Sequence, residues 1–142
     1  MNATPDIVAA AQERSGACLC GLVRFTVRGK AVFPHTCSCP HCQKLGGGPM
    51  MWWAGFEPEN VTWTGGELTW FTTFEGKAKR AFCGTCGSRL AAIDIDVPEI
   101  GIVVTALDDT TGPDLIPVNQ SFRDSAVAWL DQVPDTQHST VG

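Results

Sequence analysis

Cys18-Leu19-Cys20-Gly21-Leu22-Val23-Arg24-Phe25-Thr26-Val27-Arg28 decides how the rest of the chain is read. Its second half sets Val23, Phe25 and Val27 against Arg24, Thr26 and Arg28, the period-two signature of a half-buried strand. Its first half holds two cysteines two positions apart, which an extended strand turns to one face, so that both reach a single ion. The stretch predicts a β domain with a metal site at the head of its first strand. An unbroken strand would nevertheless put Cys18 and Cys20 on the face of Arg24 and Arg28, opposite the apolar stripe. Gly21 is therefore read as a bulge that turns the cysteines inward, the alternative being a site at the sheet margin.

All seven cysteines of the 142-residue chain fall into three clusters, Cys18-x-Cys20, Cys37-x-Cys39-x-x-Cys42 and Cys83-x-x-Cys86. A zinc-type ion takes four thiolates where it is structural and three protein ligands where it keeps a position for chemistry, so seven divides into four plus three. A disulfide framework is disfavoured by the odd count and by an N-terminus without a basic start and apolar run. The expected setting is a reducing, cytoplasmic one. Cys18 and Cys20 cannot complete a site locally. Cys83-Gly84-Thr85-Cys86-Gly87 is a zinc-knuckle pattern and supplies the missing pair. Structural zinc contributes about 10 to 16 kcal/mol in small peptides, against about 5 to 15 kcal/mol for the stability of a whole domain, so this ion is expected to hold the fold together. Cys37, Cys39 and Cys42 are left for a second Zn2+ with an open position. His35 continues the alternation of Cys37 and Cys39 and could close that site, whereas His41, next to Cys42, is poorly placed to share the ion. His138 reads as a surface residue.

Strands are expected at 50–56, 61–64, 68–74, 78–82, 90–95 and 102–106, punctuated by Asn60, Gly65-Gly66, Gly76, Pro98 and Asp108-Asp109. The organisation is an N-terminal arm over 1–15, one zinc-binding β domain over 16–133 and a tail over 134–142. The fold class is mainly β, with antiparallel sheets. Thr4-Pro5-Asp6 could cap a short helix through Ala11, and a capped helical turn is expected over 124–130. A net charge of -5 gives no basic footprint for nucleic acid or an anionic membrane, and the longest apolar run, 100–107, is too short to cross a bilayer. Lys77, Lys79 and Arg80, with Lys44 just after Cys42, read as an exposed strand edge rather than a ligand clamp, although Lys44 or Arg80 could offset the charge of a thiol-bound second zinc if either faces it. Gly46-Gly47-Gly48 is either a flexible loop or a place where a ligand approaches the backbone. Trp52 and Trp53 point to opposite faces; one reads as core and the other could wall a pocket, with core plus ordinary surface the favoured reading.

The clusters, in this order, resemble the family of glutathione-dependent formaldehyde-activating enzymes, which also includes centromere protein V. The resemblance runs from about Gly16 to Leu130. It is carried by Cys18-Leu-Cys20-Gly21-Leu-Val23-Arg-Phe25, Cys37-Ser-Cys39-Pro-His-Cys42-Gln-Lys44, Phe82-Cys83-Gly-Thr-Cys86-Gly87-Ser88, Leu107-Asp108-Asp109 and Trp129. It implies a β-tent fold, a structural zinc at Cys18, Cys20, Cys83 and Cys86, and a catalytic zinc at Cys37, Cys39 and Cys42. The implied activity joins glutathione to formaldehyde as S-(hydroxymethyl)glutathione, a carbon-sulfur lyase reaction. Two departures stand out: Val118-Asn119-Gln120 lies where many members carry a histidine, and the basic arm of centromere protein V is missing.

A thiol entering the open position would be deprotonated by the metal, but lowering its pKa by ~2 units costs about tenfold in intrinsic nucleophilicity. Positioning of the reactants is therefore the larger expected contribution. The expected partner is a small molecule, glutathione or another small thiol. Alternatives are a different zinc-dependent lyase or hydrolase on the same scaffold, or a non-catalytic zinc-stapled binding module.

Overall fold

The structure, a computed structural model, describes residues 12–132. The expected helix through Ala11 and the tail with His138 lie outside the described residues. Among the described residues, ten strands and one α-helix follow in chain order: β1 (Glu13–Ala17), β2 (Arg24–Arg28), β3 (Val32–Cys37), α1 (Pro40–Gly46), β4 (Met51–Phe56), β5 (Val61–Gly65), β6 (Thr69–Thr73), β7 (Ala78–Phe82), β8 (Arg89–Asp94), β9 (Ile100–Val103) and β10 (Asn119–Ser121). They make a three-stranded sheet, β1-β2-β5, and a seven-stranded sheet, β10-β3-β4-β9-β8-β7-β6. Every pairing is antiparallel except β10 on β3, which is parallel. The mainly β class stands, with one parallel pair added to the expected antiparallel order.

The large sheet has two working faces, because side chains alternate along each strand. Ala54 and Phe56 of β4, Ile100 and Ile102 of β9, Ala81 of β7 and Ala91 of β8 join Phe25 and Val27 of β2 in the main core. The apolar stripe of the opening stretch thus closes the small sheet against the large one. The opposite face carries Cys37, Met51, Trp53, Ala92 and Val103, a second buried cluster that also takes in Cys42 from α1.

β1 begins at Glu13, so the expected arm boundary at residue 15 falls inside a strand. Gly16 bridges to Leu107, and Asp108 N–H donates to the Ser15 carbonyl at 2.9 Å. A Cβ on Gly16 would stand 2.4 Å from Phe25 Cζ, which is why only glycine fits there. The stretch around Cys18 and Cys20 is a turn between β1 and β2, not a strand. Gly21 sits in that turn at φ +80°, and the register shift in β2 falls between Arg24 and Phe25 instead. The expected capped turn over 124–130 is replaced by two short 3-10 turns, Arg123–Ser125 and Leu130–Gln132.

Candidate metal centres and the adjoining cavity

Cys18, Cys20, Cys83 and Cys86 converge although 63 residues separate Cys20 from Cys83. Two tight turns present them. In one, Gly21 N–H bonds to the Cys18 carbonyl at 3.1 Å and Val23 N–H points at Cys18 Sγ at 3.2 Å. In the other, Gly87 N–H bonds to the Cys83 carbonyl at 2.8 Å, with Gly87 at φ +81°. Ser88 clasps the turns together, its hydroxyl accepting from Leu19 N–H at 2.9 Å and lying 3.2 Å from Cys86 Sγ. A tetrahedral ion with Zn–S bonds of ~2.3 Å needs sulfurs about 3.8 Å apart. Cys18 and Cys20 are 3.6 Å apart, and Cys20 and Cys83 are 3.9 Å apart. Those distances are far beyond disulfide bonding, and the four residues fit a metal. The Ser88 hydroxyl bond, helped by backbone N–H groups, brings the Cys86 thiol down to about 5, so one ligand is already a thiolate at neutral pH.

Cys37, Cys39 and Cys42 form the second group, their sulfurs all within 4.8 Å of one another. Cys37 ends β3. Cys39 is the N-cap of α1, its sulfur accepting from Cys42 N–H at 3.3 Å, and Pro40 opens the helix. Burial raises the Cys37 and Cys42 thiols. Burial also pushes Cys39 upward, but the Cys42 and His41 backbone bonds and the neighbouring thiols outweigh it and leave Cys39 low. Three cysteine sulfurs that converge within 4.8 Å of one another, the middle one with a lowered pKa, form a donor set that fits one metal ion.

No histidine joins this group among the described residues. His35 Nδ1 lies 2.8 Å from the Phe33 carbonyl and its ring packs on Phe33. His41 Nε2 bonds to Thr73 Oγ1 at 3.0 Å, and its ring stacks on Phe74 with centroids 4.5 Å apart. Burial, then the positive Arg80, push the His41 imidazole below its ordinary value, so it is neutral at pH 7.

A cavity of about 360 Å³ opens beside the three cysteines, lined by Cys37, Cys42, His35, Trp53, Arg80 and Asp94 among others. Phe33 and Phe122 stand on its lining at φ +46° and +56°. Left-handed backbone at non-glycine residues is costly and gathers where function holds it in place. A larger hollow, about 620 Å³, lies elsewhere and has no cysteine in its lining; its one charged residue, Arg89, donates to the Leu45 carbonyl.

The sequence profile of the family described as "Glutathione-dependent formaldehyde-activating enzyme" matches residues 13–129. The chain belongs to that family. No curated protein matches it. Among solved structures, the crystal structure of a Rhodobacter sphaeroides protein, a Northeast Structural Genomics target, aligns with a TM-score of 0.59 at 24% identity, covering 75% of this chain and 99% of that one. That likeness speaks to the fold alone.

In this member of the formaldehyde-activating family, β10 shapes the loop that carries the second cysteine group. Ser38 N–H donates to the Ser121 carbonyl at 2.9 Å, and Gln120 Nε2 donates to Ser38 Oγ at 2.9 Å. Gln43 Nε2 ties the Ser38 and Ser125 carbonyls together at 2.6 and 2.9 Å. Asn119 pairs with His35 and donates to Ser121 Oγ at 3.1 Å.

Three sequence expectations change. Gly46 and Gly47 end α1, and a Cβ on Gly46 would meet Met51 at 2.7 Å. The glycine run is a helix stop and does not line the cavity beside the cysteines. Neither tryptophan is plain surface: Trp53 walls the cavity, and Trp52 donates to the Leu115 carbonyl at 2.9 Å. Arg80 is buried on an interior strand, not exposed on an edge, whereas Lys44 is exposed in the last turn of α1. Among the described residues no helix is long and apolar enough to cross a membrane.

Proposed function

We propose that the protein is a zinc-dependent enzyme of the carbon-sulfur lyase type that joins a small thiol, such as glutathione, to a small aldehyde. The observation that carries the reading is a group of three cysteines with no fourth protein ligand among the described residues, opening on a cavity of substrate size. Family membership supports the substrate class. In the reaction the thiol loses its proton, a sulfur–carbon bond forms at the aldehyde carbon, the carbonyl π bond breaks, and the oxygen gains a proton to give a hydroxymethyl-type thioether. Cys37, Cys39 and Cys42 would hold the ion. When bound, the ion would supply positive charge and a vacant coordination position, which favour the thiolate form of an incoming thiol.

The remaining work falls to the chain. Trp53 forms a wall that limits water at the reacting atoms, and β10 holds the cysteine loop in one geometry. Fixing two reactants side by side is the larger source of rate for such an addition. Cys18, Cys20, Cys83 and Cys86 take no part in the reaction and serve the fold. A reducing, cytoplasmic setting suits seven free cysteines.

Exchange spectroscopy with ¹³C-formaldehyde and glutathione tests the proposal, because the uncatalysed adduct forms on its own and only a faster interconversion marks an enzyme. The zinc-loaded protein is expected to raise the exchange rate, and Cys39→Ser to remove the effect. Exchange at the uncatalysed rate, with the metal site intact, would reject lyase activity on this pair.

A further inference from the structure

Arg80 is a buried cation on the lining of the cavity beside the three cysteines. It lies on β7, paired with Ala92 of β8, which pairs in turn with Gly101 of β9 and so leads to Gly55 of β4. These small residues keep the sheet face low, and the long Arg80 side chain extends over it into the cavity lining. Its guanidinium carbon lies 5.9 Å from the ring centroids of both Trp53 and Phe74. The side chain is nine-tenths buried, at 10% exposure.

A guanidinium has five N–H donors. The two bonds that Arg80 makes both come from Nη1, to the Lys79 carbonyl and to Asp94 Oδ1, each at 3.1 Å. Nε is buried with no partner. Asp94 keeps its side chain 42% exposed, and Glu99 stands on the same lining. One wall of the cavity thus carries a cation with spare donors and two carboxylates, beside Cys37 and Cys42. A buried charge paired this incompletely is unfavourable until an anion completes it. A plain anion would also meet the two carboxylates, whereas a zwitterion satisfies both signs at once.

We propose that this wall reads an α-amino-acid group on the substrate, Arg80 taking its carboxylate and Asp94, with Glu99, its ammonium. The proposal deepens, and rests on, the thiol reading of the three-cysteine site. It narrows the substrate to a thiol that carries both charges within the reach of a cavity of about 360 Å³. Arg80 is the specificity-determining residue, since its planar fork matches a carboxylate as a lysine does not.

The test uses probes that keep the charges and block the thiol. S-methyl-L-cysteine has both charged groups, 3-(methylthio)propionate only the carboxylate and 2-(methylthio)ethylamine only the ammonium. Calorimetric titration of each into the zinc-loaded, full-length protein should show S-methyl-L-cysteine binding tightest, with a loss of about tenfold or more when either charge is removed. Arg80→Gln should erase the preference for the carboxylate and keep that for the ammonium; Asp94→Asn should do the reverse. Arg80→Lys, which keeps the buried charge if glutamine prevents folding, should lose most of the carboxylate preference. Equal binding of the three probes to within roughly twofold, no heat from any of them at millimolar concentration, or a folded Arg80→Gln that still prefers the carboxylate would overturn the proposal. Because no probe has a free thiol, a wrong thiol reading would appear separately, as charge discrimination that persists while glutathione fails to engage the cysteines.

Discussion

Asp114 and Arg14 form a buried ion pair across a hundred residues of chain, and they show what a single contact does for this fold. The second Asp114 oxygen accepts from Ala31 N–H at 2.9 Å, and the Arg14 guanidinium lies 5.8 Å from the Phe56 ring centroid. Burial alone would raise the Asp114 pKa. The Arg14 bond and the Ala31 N–H outweigh it and hold the carboxyl below its ordinary 3.8. A depressed folded value means that the stabilisation is complete above the unfolded carboxyl range, near pH 4, and is lost as pH falls through the folded value. Asp114→Ala, which strands a buried guanidinium, should cost about 3 to 5 kcal/mol at pH 7. Urea unfolding at pH 7 and again at pH 3 checks both size and sign: the gap between parent and variant should shrink at the lower pH. An equal gap at both would show that the carboxylate charge is not what stabilises. Arg14 also explains a missed strand, since Glu-Arg-Ser-Gly-Ala has no apolar alternation and its buried members are the charged Arg14 and Gly16 rather than hydrophobic side chains.

The cysteine loop between β3 and α1 depends on an element that the sequence hides. β10 is only Asn-Gln-Ser, without apolar character, and it pairs parallel to β3, so nothing in its pattern announces a strand. β3 is masked in a similar way, by Pro34 and by Phe33 at φ +46°. α1 spans seven residues, too few for a helical period to show, and is legible only in retrospect from Pro40 and the N-capping Cys39. Yet the ligand-bearing loop hangs on Ser38, whose groups are bonded by Gln120, Gln43 and the Ser121 carbonyl. Partners one shell out from metal ligands typically set affinity by 10- to 100-fold. Gln120→Ala should therefore weaken metal at the three-cysteine site about tenfold and leave the melting temperature almost unchanged. Competition with a chromophoric chelator measures the first and thermal unfolding the second; unaltered affinity would show that β10 does not organise the ligands.

At the scale of the molecule, one cysteine group ties the two sheets together and the other lies beside a cavity on the far face of the large sheet. The first division was legible because cysteine spacing survives any error in strand boundaries: both groups were expected from Cys18 to Cys86 alone, and the structure brings together those same residues. The cavity was not legible, since Arg80 sits in Lys-Ala-Lys-Arg-Ala-Phe, a pattern that looks like an exposed edge until β6 is seen to cover β7. Cys83→Ser should lose its ion and unfold or melt far below the parent, because a structural zinc contributes about as much free energy as the whole domain retains. A mild chelator should strip the three-cysteine site first and leave the fold intact. Circular dichroism with zinc analysis follows both; simultaneous loss of both ions on unfolding would contradict the division of labour.

The most direct measurement of that division is a titration of glutathione into the cobalt-substituted protein, followed by the cobalt absorption bands and repeated with Cys39→Ser. If Cys37, Cys39 and Cys42 hold a metal that accepts a substrate thiol, the parent spectrum changes as a sulfur donor is added and the Cys39→Ser spectrum does not. A parent spectrum unmoved by millimolar glutathione, or an identical change in Cys39→Ser, would contradict the account.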